Sequence, residues 1–219
     1  MKIAKIFQAF TYWPIYLSLK FFANYKIEGQ ENLKGLEDKG VIFASNHASY
    51  IDGPISAASM PRRSFYPSGF FPIRFLALRQ YYNWINPFPI PLNFLTAGYV
   101  RINGSIPIDK TGGDLFKALE NAVEALKNRD KVWIYPEGRR TKDGNLQPGK
   151  RGVAFLHQQT RAPIVPVGIS GSFKMSFLGF LLCKHKIRIK IGKPIYNLNS
   201  ASLEKGAEKV MQEIRELMV

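Results

Sequence analysis

The stretch Val41-Ile42-Phe43-Ala44-Ser45-Asn46-His47-Ala48-Ser49-Tyr50-Ile51-Asp52 decides how this chain folds. Its first five residues form a short apolar run after Gly40, which predicts a buried β-strand. The small and polar residues that follow predict a loop at the carboxyl end of that strand, where α/β sheets place their binding sites. We therefore predict an α/β fold with its functional site in this loop.

His47 and Asp52 in this loop are a candidate base and the carboxylate that orients it. On a regular helix, side chains five residues apart point about 140° away from each other and lie about 7.5 Å apart along the axis. The pair therefore requires a strand, a turn and the start of a helix. Taken alone, it is explained as well by local helix capping, so its meaning depends on the other motifs.

The excess of basic over acidic residues predicts that this protein binds anions. The chain has 219 residues, 46% of them hydrophobic, which fits one globular domain. Its 31 lysines and arginines against 16 acidic residues give a net charge of +15, which suits nucleic acid, anionic lipid, phosphorylated metabolites or an acidic carrier protein. Cys183 is the single cysteine, and there is no zinc-type cluster and no glycine-rich phosphate loop, so we predict no metal site.

An apolar, aromatic segment occupies residues 3–22. Only 14 uncharged residues separate Lys5 from Lys20, fewer than the roughly 20 that a spanning helix needs. Pro14 is predicted to kink or divide the helix. We expect the segment to lie on a bilayer surface, with packing against the protein's own core as the alternative. The expected domains are a membrane-associating helical segment, 1–24, and one globular domain, 25–219, that contains the remaining motifs.

A second apolar region, residues 84–95, is interrupted by Pro87, Pro89 and Pro91 and cannot form a regular spanning helix. We interpret it as an apolar flap that receives an acyl chain or dips into a membrane interface. A long loop tucked against the core is an equally good explanation.

In two further motifs, charged side chains stand at the carboxyl end of a short predicted strand. Residues 101–110 predict a strand that places Lys110 at its carboxyl end. Val132–Tyr135 predicts a buried strand, and Pro136–Thr141 continues it with a carboxylate, a flexible glycine and two guanidinium groups. Arginine binds phosphate oxygens in pairs and a carboxylate accepts hydrogen bonds from hydroxyls, so this loop is a candidate polyol phosphate site. A surface turn held by ion pairs remains an alternative for this motif alone.

The fourth motif is the apolar strand Ile164–Ile169, which contains Pro166. Proline lacks the N–H group that a central strand donates to its neighbour. Pro166 therefore predicts a break in the ladder, where the sheet borders something other than another strand.

Together the four motifs resemble those of the glycerolipid acyltransferases, whose best-known members are lysophosphatidic acid acyltransferases. That family is marked by Asn-His-x-x-x-x-Asp, a Gly-x-Ile-x-x-x-Arg type motif, Pro-Glu-Gly-Thr-Arg-Ser and a late Val-Pro-Val. The matching residues stand in the same order here and cover about residues 27–195: His47 and Asp52, Gly104 to Lys110, Pro136 to Thr141, and Val165 to Val167. Lys110 replaces the family's usual Arg, Arg139 its Thr and Thr141 its Ser, which bears on the acceptor's headgroup and leaves the reaction class unchanged.

The resemblance implies one domain, with a mixed sheet of about six or seven strands flanked by helices. It implies that His47 removes a proton from an acceptor hydroxyl, that Asp52 fixes its tautomer, and that the hydroxyl attacks an acyl thioester directly. The implied substrate-binding residues are Lys110, Arg139 and Arg140 for the phosphate, Glu137 for the glycerol backbone, and Gly138 and Pro166 beside them.

The implied reaction is transfer of an acyl group to the sn-2 hydroxyl of lysophosphatidic acid, which makes phosphatidic acid. The donor is acyl-coenzyme A or acyl carrier protein as co-substrate, and no cofactor is expected. The implied location is the cytoplasmic face of a membrane, peripheral or monotopic, on an anionic surface. Alternatives are another acceptor, such as glycerol 3-phosphate or another lysophospholipid, and a non-catalytic basic protein that binds membranes or nucleic acid. No recognised nucleic-acid-binding motif is present, so nucleic acid is not an expected partner.

Overall fold

Seven strands form one mixed sheet in the computed structural model, which describes residues 2–62, 64, 68–109 and 114–218. The strands are β1 Lys26–Glu28, β2 Val41–Ser45, β3 Ile73–Leu78, β4 Ile106–Ile108, β5 Lys131–Ile134, β6 Ile164–Ser170 and β7 Arg188–Ile191. Their order is β1-β7-β6-β2-β5-β3-β4; β6 and β7 are antiparallel and the other neighbours are parallel. The predicted α/β fold and strand number are confirmed.

Helices cover both faces of the sheet. They are α1 Lys2–Phe22, α2 Asp52–Ala58, α3 Leu92–Ile102, α4 Leu115–Lys127, α5 Gly152–Thr160, α6 Phe177–Leu181 and α7 Leu203–Leu217. Side chains alternate along the central strand β2, so Val41 and Phe43 pack with α1 and α2, while Ile42 and Ala44 pack with α4, α5 and α7. Every residue of β2 is buried, which fixes the end of this strand and the loop that follows it.

Helix α1 runs unbroken through Pro14, so the prediction that this residue divides the helix is wrong. Proline removes the hydrogen bond that the Phe10 carbonyl would accept, but Phe10 lies on the exposed face, where water can replace it. On the inner face the Gln8 side chain donates to the carbonyls of Ile73, at 2.8 Å, and Asn103, at 2.9 Å. It also accepts the Ile73 N–H at 2.9 Å. These bonds lock α1 onto the sheet.

The outer face of α1 carries a stripe of exposed apolar side chains: Ile3, Ile6, Phe10, Leu17 and Phe21. One face of the segment is therefore packed against the domain, as the alternative held, while the other is free for the predicted bilayer contact. No helix among the described residues is long and apolar enough to cross a membrane.

Two elements near the apolar flap differ from the sequence prediction. Strand β3 was not predicted, although it supplies the neighbour that β4 and β5 need. The last four residues of the flap, together with residues 96–102, form helix α3, so the strand expected over 101–110 begins at Ile106. The prolines end before Leu92, which leaves the following residues free to form a helix.

Candidate active site

His47 and Asp52 meet across the turn between β2 and α2. Asp52 is the first residue of α2, and its Oδ2 atom points back to form a hydrogen bond with His47 Nδ1 at 2.8 Å. The same oxygen accepts the N–H groups of Ala48 and Ser49, each at 2.7 Å. The strand, turn and helix start that the pair requires are thus all present, and the loop is wound around the fully buried carboxylate.

These bonds determine which imidazole nitrogen is free. An ionised carboxylate only accepts hydrogen bonds, so Nδ1 of His47 carries the proton it shares with Asp52. The other nitrogen, Nε2, is then left with a lone pair, and His47 lines the large cavity of the molecule. A neutral histidine held in this tautomer can take a proton from a substrate hydroxyl.

Tyr135, just beyond β5, fixes the plane of the imidazole. Its ring stacks on that of His47, with centroids 4.0 Å apart and an angle of 14° between the planes. Burial raises the pKa of Tyr135 well above 10, and the negative charge of Asp52 raises it further, so the phenol stays neutral. Sequence analysis did not assign this residue; its position between a buried strand and a charged loop was the available signal.

Asn46 and Thr141 hold the His47 loop from two other directions. The Asn46 side chain donates to the carbonyl of Ile169 and accepts its N–H, both at 2.8 Å, which ties the loop to β6. The Thr141 N–H donates to the His47 carbonyl at 2.8 Å, which ties it to the loop after β5. The His47 loop and the predicted phosphate loop therefore form one hydrogen-bonded unit.

Glu137 also belongs to this unit, because both of its carboxylate oxygens accept backbone N–H groups, while its contact with a substrate's glycerol hydroxyls stays a prediction. Its Oε1 accepts the N–H of His47 at 2.7 Å and its Oε2 accepts that of Gln147 at 2.9 Å. Only 2% of the residue is exposed, and it is not among the residues that line the cavity. Burial raises the pKa of Glu137, while the two backbone donors lower it. Glu137 positions the loops, a role that its place in the sequence does not distinguish from ligand binding.

The cavity beside His47 has a volume of about 1350 Å³. Its basic lining comes from the connection between β5 and α5: Arg139, Arg140, Lys142, Lys150 and Arg151, with Gly138 beside them. Two acidic residues, Asp109 and Asp114, also line it. Its apolar lining includes Tyr81, which precedes the flap, and four residues of the flap and α3: Phe88, Phe94, Leu95 and Tyr99. The flap therefore lines a cavity, as predicted, rather than lying against the core. A cavity with one basic and one apolar lining suits an anionic amphiphile.

Four of the cations are free of ion pairs within the described part of the chain: Arg139, Arg140, Lys142 and Lys150. Arg151 pairs with Glu204 at 3.5 Å. The guanidinium carbon of Arg140 lies 3.3 Å from the ring centroid of Tyr50, so the aromatic face holds the cation at the cavity without neutralising it. Arg139 and Arg140 thus lie where their predicted role requires. Lys110 falls outside the described residues.

Lys150 is a cavity cation that sequence analysis did not assign. Its N–H donates to the Pro136 carbonyl at 2.8 Å, and its side chain crosses the loop beside Gly138. A Cβ atom on Gly138 would lie 3.0 Å from Lys150 Cδ, Cε and Nζ, and Gly138 has a φ of 66°. Gly138 is therefore needed for its backbone conformation and for the room it gives this lysine. No spacing rule in the sequence connects the two positions.

Pro166 lies away from the cavity lining, so the structure gives no support to its predicted substrate contact. It lies buried in β6 opposite Ala44 of β2 and is not among the cavity-lining residues. The ladder is irregular beside it, as predicted, because Val167 pairs with Ile191 whereas Ile164 pairs with Ile195, which inserts one extra residue on the far side. The irregularity is a bulge between two segments of sheet. A bulge and a ligand-binding gap give the same proline signal in a sequence.

Comparison with known proteins identifies this chain's relatives. The family model described as Acyltransferase matches residues 24–170. The chloroplast 1-acyl-sn-glycerol-3-phosphate acyltransferase of Brassica napus is 27% identical over 197 residues, 89% of this chain and 49% of that protein. The corresponding chloroplast protein of Arabidopsis thaliana is 25% identical over 218 residues, 98% of this chain and 54% of that protein. The chain therefore spans about half the length of these curated relatives.

A human and a bacterial protein extend the comparison. The human 1-acyl-sn-glycerol-3-phosphate acyltransferase beta is 27% identical over 169 residues, 77% of this chain and 53% of that protein. The crystal structure of the 1-acyl-sn-glycerophosphate acyltransferase PlsC from Thermotoga maritima superimposes with a TM-score of 0.65 at 21% identity, covering 95% of this chain and 79% of that one. At this identity the similarity to the bacterial protein establishes a shared fold.

Proposed function

The chain belongs to the acyltransferase family, and on that premise we propose that it transfers an acyl group from a thioester to the sn-2 hydroxyl of lysophosphatidic acid. The observation that carries the proposal is the His47–Asp52 pair at 2.8 Å, in a cavity that also contains unpaired cations and an apolar lining. The product is phosphatidic acid, a precursor in phospholipid synthesis. The names of the relatives support this acceptor.

In the proposed reaction His47 acts as a general base. Its Nε2 takes the proton of the acceptor hydroxyl while the hydroxyl oxygen attacks the thioester carbonyl carbon. The carbon–sulfur bond then breaks, and the thiolate leaves with the proton returned by the imidazolium. Asp52 holds the required tautomer throughout. A positioned base contributes about 10²- to 10⁴-fold, and alignment of the two substrates supplies the rest.

In this proposal the basic lining of the cavity binds the acceptor's phosphate, and the apolar lining binds its acyl chain. Arg139, Arg140 and Lys150 offer charge-assisted hydrogen bonds to the phosphate, and arginine can make them in pairs. The flap and α3 side chains offer an apolar surface to the acyl chain. The acceptor's hydroxyl, between its phosphate and its chain, would then reach His47.

We propose acyl-coenzyme A or acyl carrier protein as the donor, with no further cofactor in the scheme. Both donors are anionic, so the net charge of +15 supports either. The location proposed is the cytoplasmic face of a membrane, because the acceptor and product reside in a bilayer. The exposed apolar stripe of α1, bordered by Lys2, Lys5 and Lys20, supports attachment to an anionic leaflet.

The test is transfer of a labelled acyl group to lysophosphatidic acid in detergent micelles, with each donor in turn, by the wild type and by His47→Ala. We expect labelled phosphatidic acid from the wild type and a loss of at least about 10²-fold in kcat/KM for the variant. The unfolding temperature of the variant, measured alongside, should match that of the wild type, since His47 accounts for only one of the three bonds to the Asp52 oxygen.

Other outcomes separate the remaining functions. Turnover with glycerol 3-phosphate or another lysophospholipid in place of lysophosphatidic acid would keep the reaction and change the acceptor. Equal turnover by wild type and His47→Ala would reject His47 as the base. If the wild type turns over none of these acceptors with either donor, the proposed reaction is wrong.

A further inference from the structure

A second exposed apolar surface lies on helix α6, in the connection between β6 and β7. Phe177 is 78% exposed and Leu178 is 66% exposed, and two further large apolar side chains beside them also face outward, Leu181 and Leu182. None of these residues lines the cavity. Four large apolar side chains exposed together, without a partner in the described chain, indicate an interaction surface rather than scattered surface residues.

The α6 connection is a hydrogen-bonded structure that holds these side chains outward. The Ser176 hydroxyl caps α6 by accepting the Gly179 N–H at 3.0 Å. The Ser176 N–H donates to His185 Nε2 at 3.3 Å, and the Lys184 N–H donates to the Gly179 carbonyl at 2.9 Å. Phe180 turns inward and packs on the core beside α1. Because the inner face is already packed, the outer face is free to contact another body.

The surface continues onto the carboxyl-terminal half of α1. The rings of Phe180 and Phe22 lie 5.2 Å apart, and Cys183 Sγ lies 3.8 Å from the Phe21 carbonyl. Phe21 is itself 75% exposed, and so is Leu17, one turn earlier, at 58%. The outer faces of α1 and α6 are therefore neighbours, and whatever contacts one can contact the other.

The charges around this surface identify the partner. No aspartate or glutamate occurs in residues 1–27 or 144–203. Exposed lysines lie near the adjoining ends of α1 and the α6 connection: Lys20, Lys26, Lys174, Lys184 and Lys186. Aromatic and leucine side chains bordered by lysines, with no acidic residue among them, suit the interface of a bilayer that contains anionic lipid.

We propose that α6 is a second membrane-contact site, which inserts Phe177, Leu178 and Leu182 among the headgroups of an anionic bilayer beside α1. A single interfacial helix leaves a protein free to rock about the helix axis. Two adjacent contacts fix the orientation of the domain on the membrane, and with it the direction in which the cavity faces.

The test is co-flotation of the full chain with vesicles of phosphatidylcholine and phosphatidylglycerol, in the absence of any substrate. We compare the wild type with Phe177→Ser/Leu178→Ser. The matched control is Phe116→Ser, which removes an exposed phenylalanine from α4, on the other face of the sheet. We expect the double variant to lose at least about tenfold in its partition coefficient, and the control to stay within twofold of the wild type.

Two further measurements make the result decisive. Lys184→Gln/Lys186→Gln should weaken binding to the anionic vesicles and leave binding to pure phosphatidylcholine unchanged, because these lysines act through charge. Circular dichroism and unfolding temperature should show the variants folded. Wild-type binding by the folded Phe177→Ser/Leu178→Ser variant would overturn the proposal. Since no acceptor or donor is present, this result does not depend on which reaction the enzyme catalyses.

Discussion

Two carboxylates and three cations near the cavity differ in their partners, because the carboxylates bind the protein's own backbone and the cations face the cavity. Asp52 and Glu137 are buried, and each accepts hydrogen bonds from backbone N–H groups of the loops. Arg139, Arg140 and Lys150 line the cavity without an ion pair in the described residues. The carboxylates are occupied by the protein, and the cations are available to a ligand.

This difference shows that charges of the same motif can serve different purposes. A buried carboxylate is costly unless hydrogen bonds compensate it, so the bonds to Asp52 and Glu137 also determine the path of the backbone. A cation exposed to a cavity costs little and keeps its charge for substrate. We therefore expect substitutions of the carboxylates to alter stability and turnover, and substitutions of the cations to alter acceptor binding alone.

The largest effect is expected for Asp52→Ala. Three donors would lose a charged acceptor, and a hydrogen bond to a charged group is worth about 1.5–3 kcal/mol, so unfolding should be easier by about 3 kcal/mol or more. His47 would also lose its orientation, which should reduce kcat by at least about 10²-fold. Denaturant titration and steady-state kinetics measure both. Asp38→Ala, at an exposed site, is the matched control and should change neither.

Glu137→Gln should have the next largest effect. Glutamine keeps the size of the side chain but turns its amide N–H₂ toward one of the two backbone donors, which leaves that N–H unpaired and costs about 1–3 kcal/mol. The unfolding temperature and kcat should fall, with little change in KM for the acceptor. An exposed equivalent on α7, Glu208→Gln, serves as the control. A large rise in KM for the acceptor with unchanged stability would instead support the predicted glycerol-binding role.

Lys150→Met is expected to act on acceptor binding without loss of stability. Loss of one charge-assisted hydrogen bond to a phosphate, worth about 1.5–3 kcal/mol, should raise KM for lysophosphatidic acid by about tenfold or more. The unfolding temperature should not fall. Lys150→Arg should restore most of the affinity, and Lys193→Met, an exposed lysine absent from the cavity lining, should have no effect. An equal change in KM for Lys150→Met and Lys193→Met would contradict the assignment of Lys150 to phosphate binding.

Tyr50→Leu should have the smallest effect. It removes the aromatic face that holds Arg140 and leaves the cation itself in place. An exposed cation–π contact is worth about 0.5–1 kcal/mol, so KM for the acceptor should rise about two- to fivefold. Tyr50→Phe keeps the ring and should behave as the wild type. If Tyr50→Leu instead lowered kcat roughly a hundredfold, as loss of a general base does, this residue would be acting on His47.

The sequence predicted the parts of the molecule that depend on local pattern. The strand, turn and helix around His47 follow from an apolar run and a five-residue spacing, and the structure has them. The loop after β5 and the cavity-lining role of the flap follow in the same way. These features succeed because the ends of neighbouring parallel strands are brought to one edge of the sheet by the fold itself.

The features that the sequence did not predict are contacts between distant segments. Glu137 bonds to His47 and Gln147, and no local pattern distinguishes that from contact with a ligand. Pro166 marks a bulge whose partner strand lies more than twenty residues away. Lys150 reaches the cavity because Gly138 leaves room for it, a fact about packing in three dimensions. All three have the same cause, since a sequence shows which residues are polar or constrained but not which residues they contact in the folded chain.

The most direct test of whether the cavity cations bind the acceptor's phosphate compares two enzymes on two acceptors. It compares kcat/KM of the wild type and of Arg140→Met/Lys150→Met on lysophosphatidic acid and on monoacylglycerol, which lacks the phosphate. If the cations bind the phosphate, the variant should lose at least tenfold on lysophosphatidic acid and less than twofold on monoacylglycerol. An equal loss on both acceptors would show that the cations serve the fold or the donor, and would contradict the account.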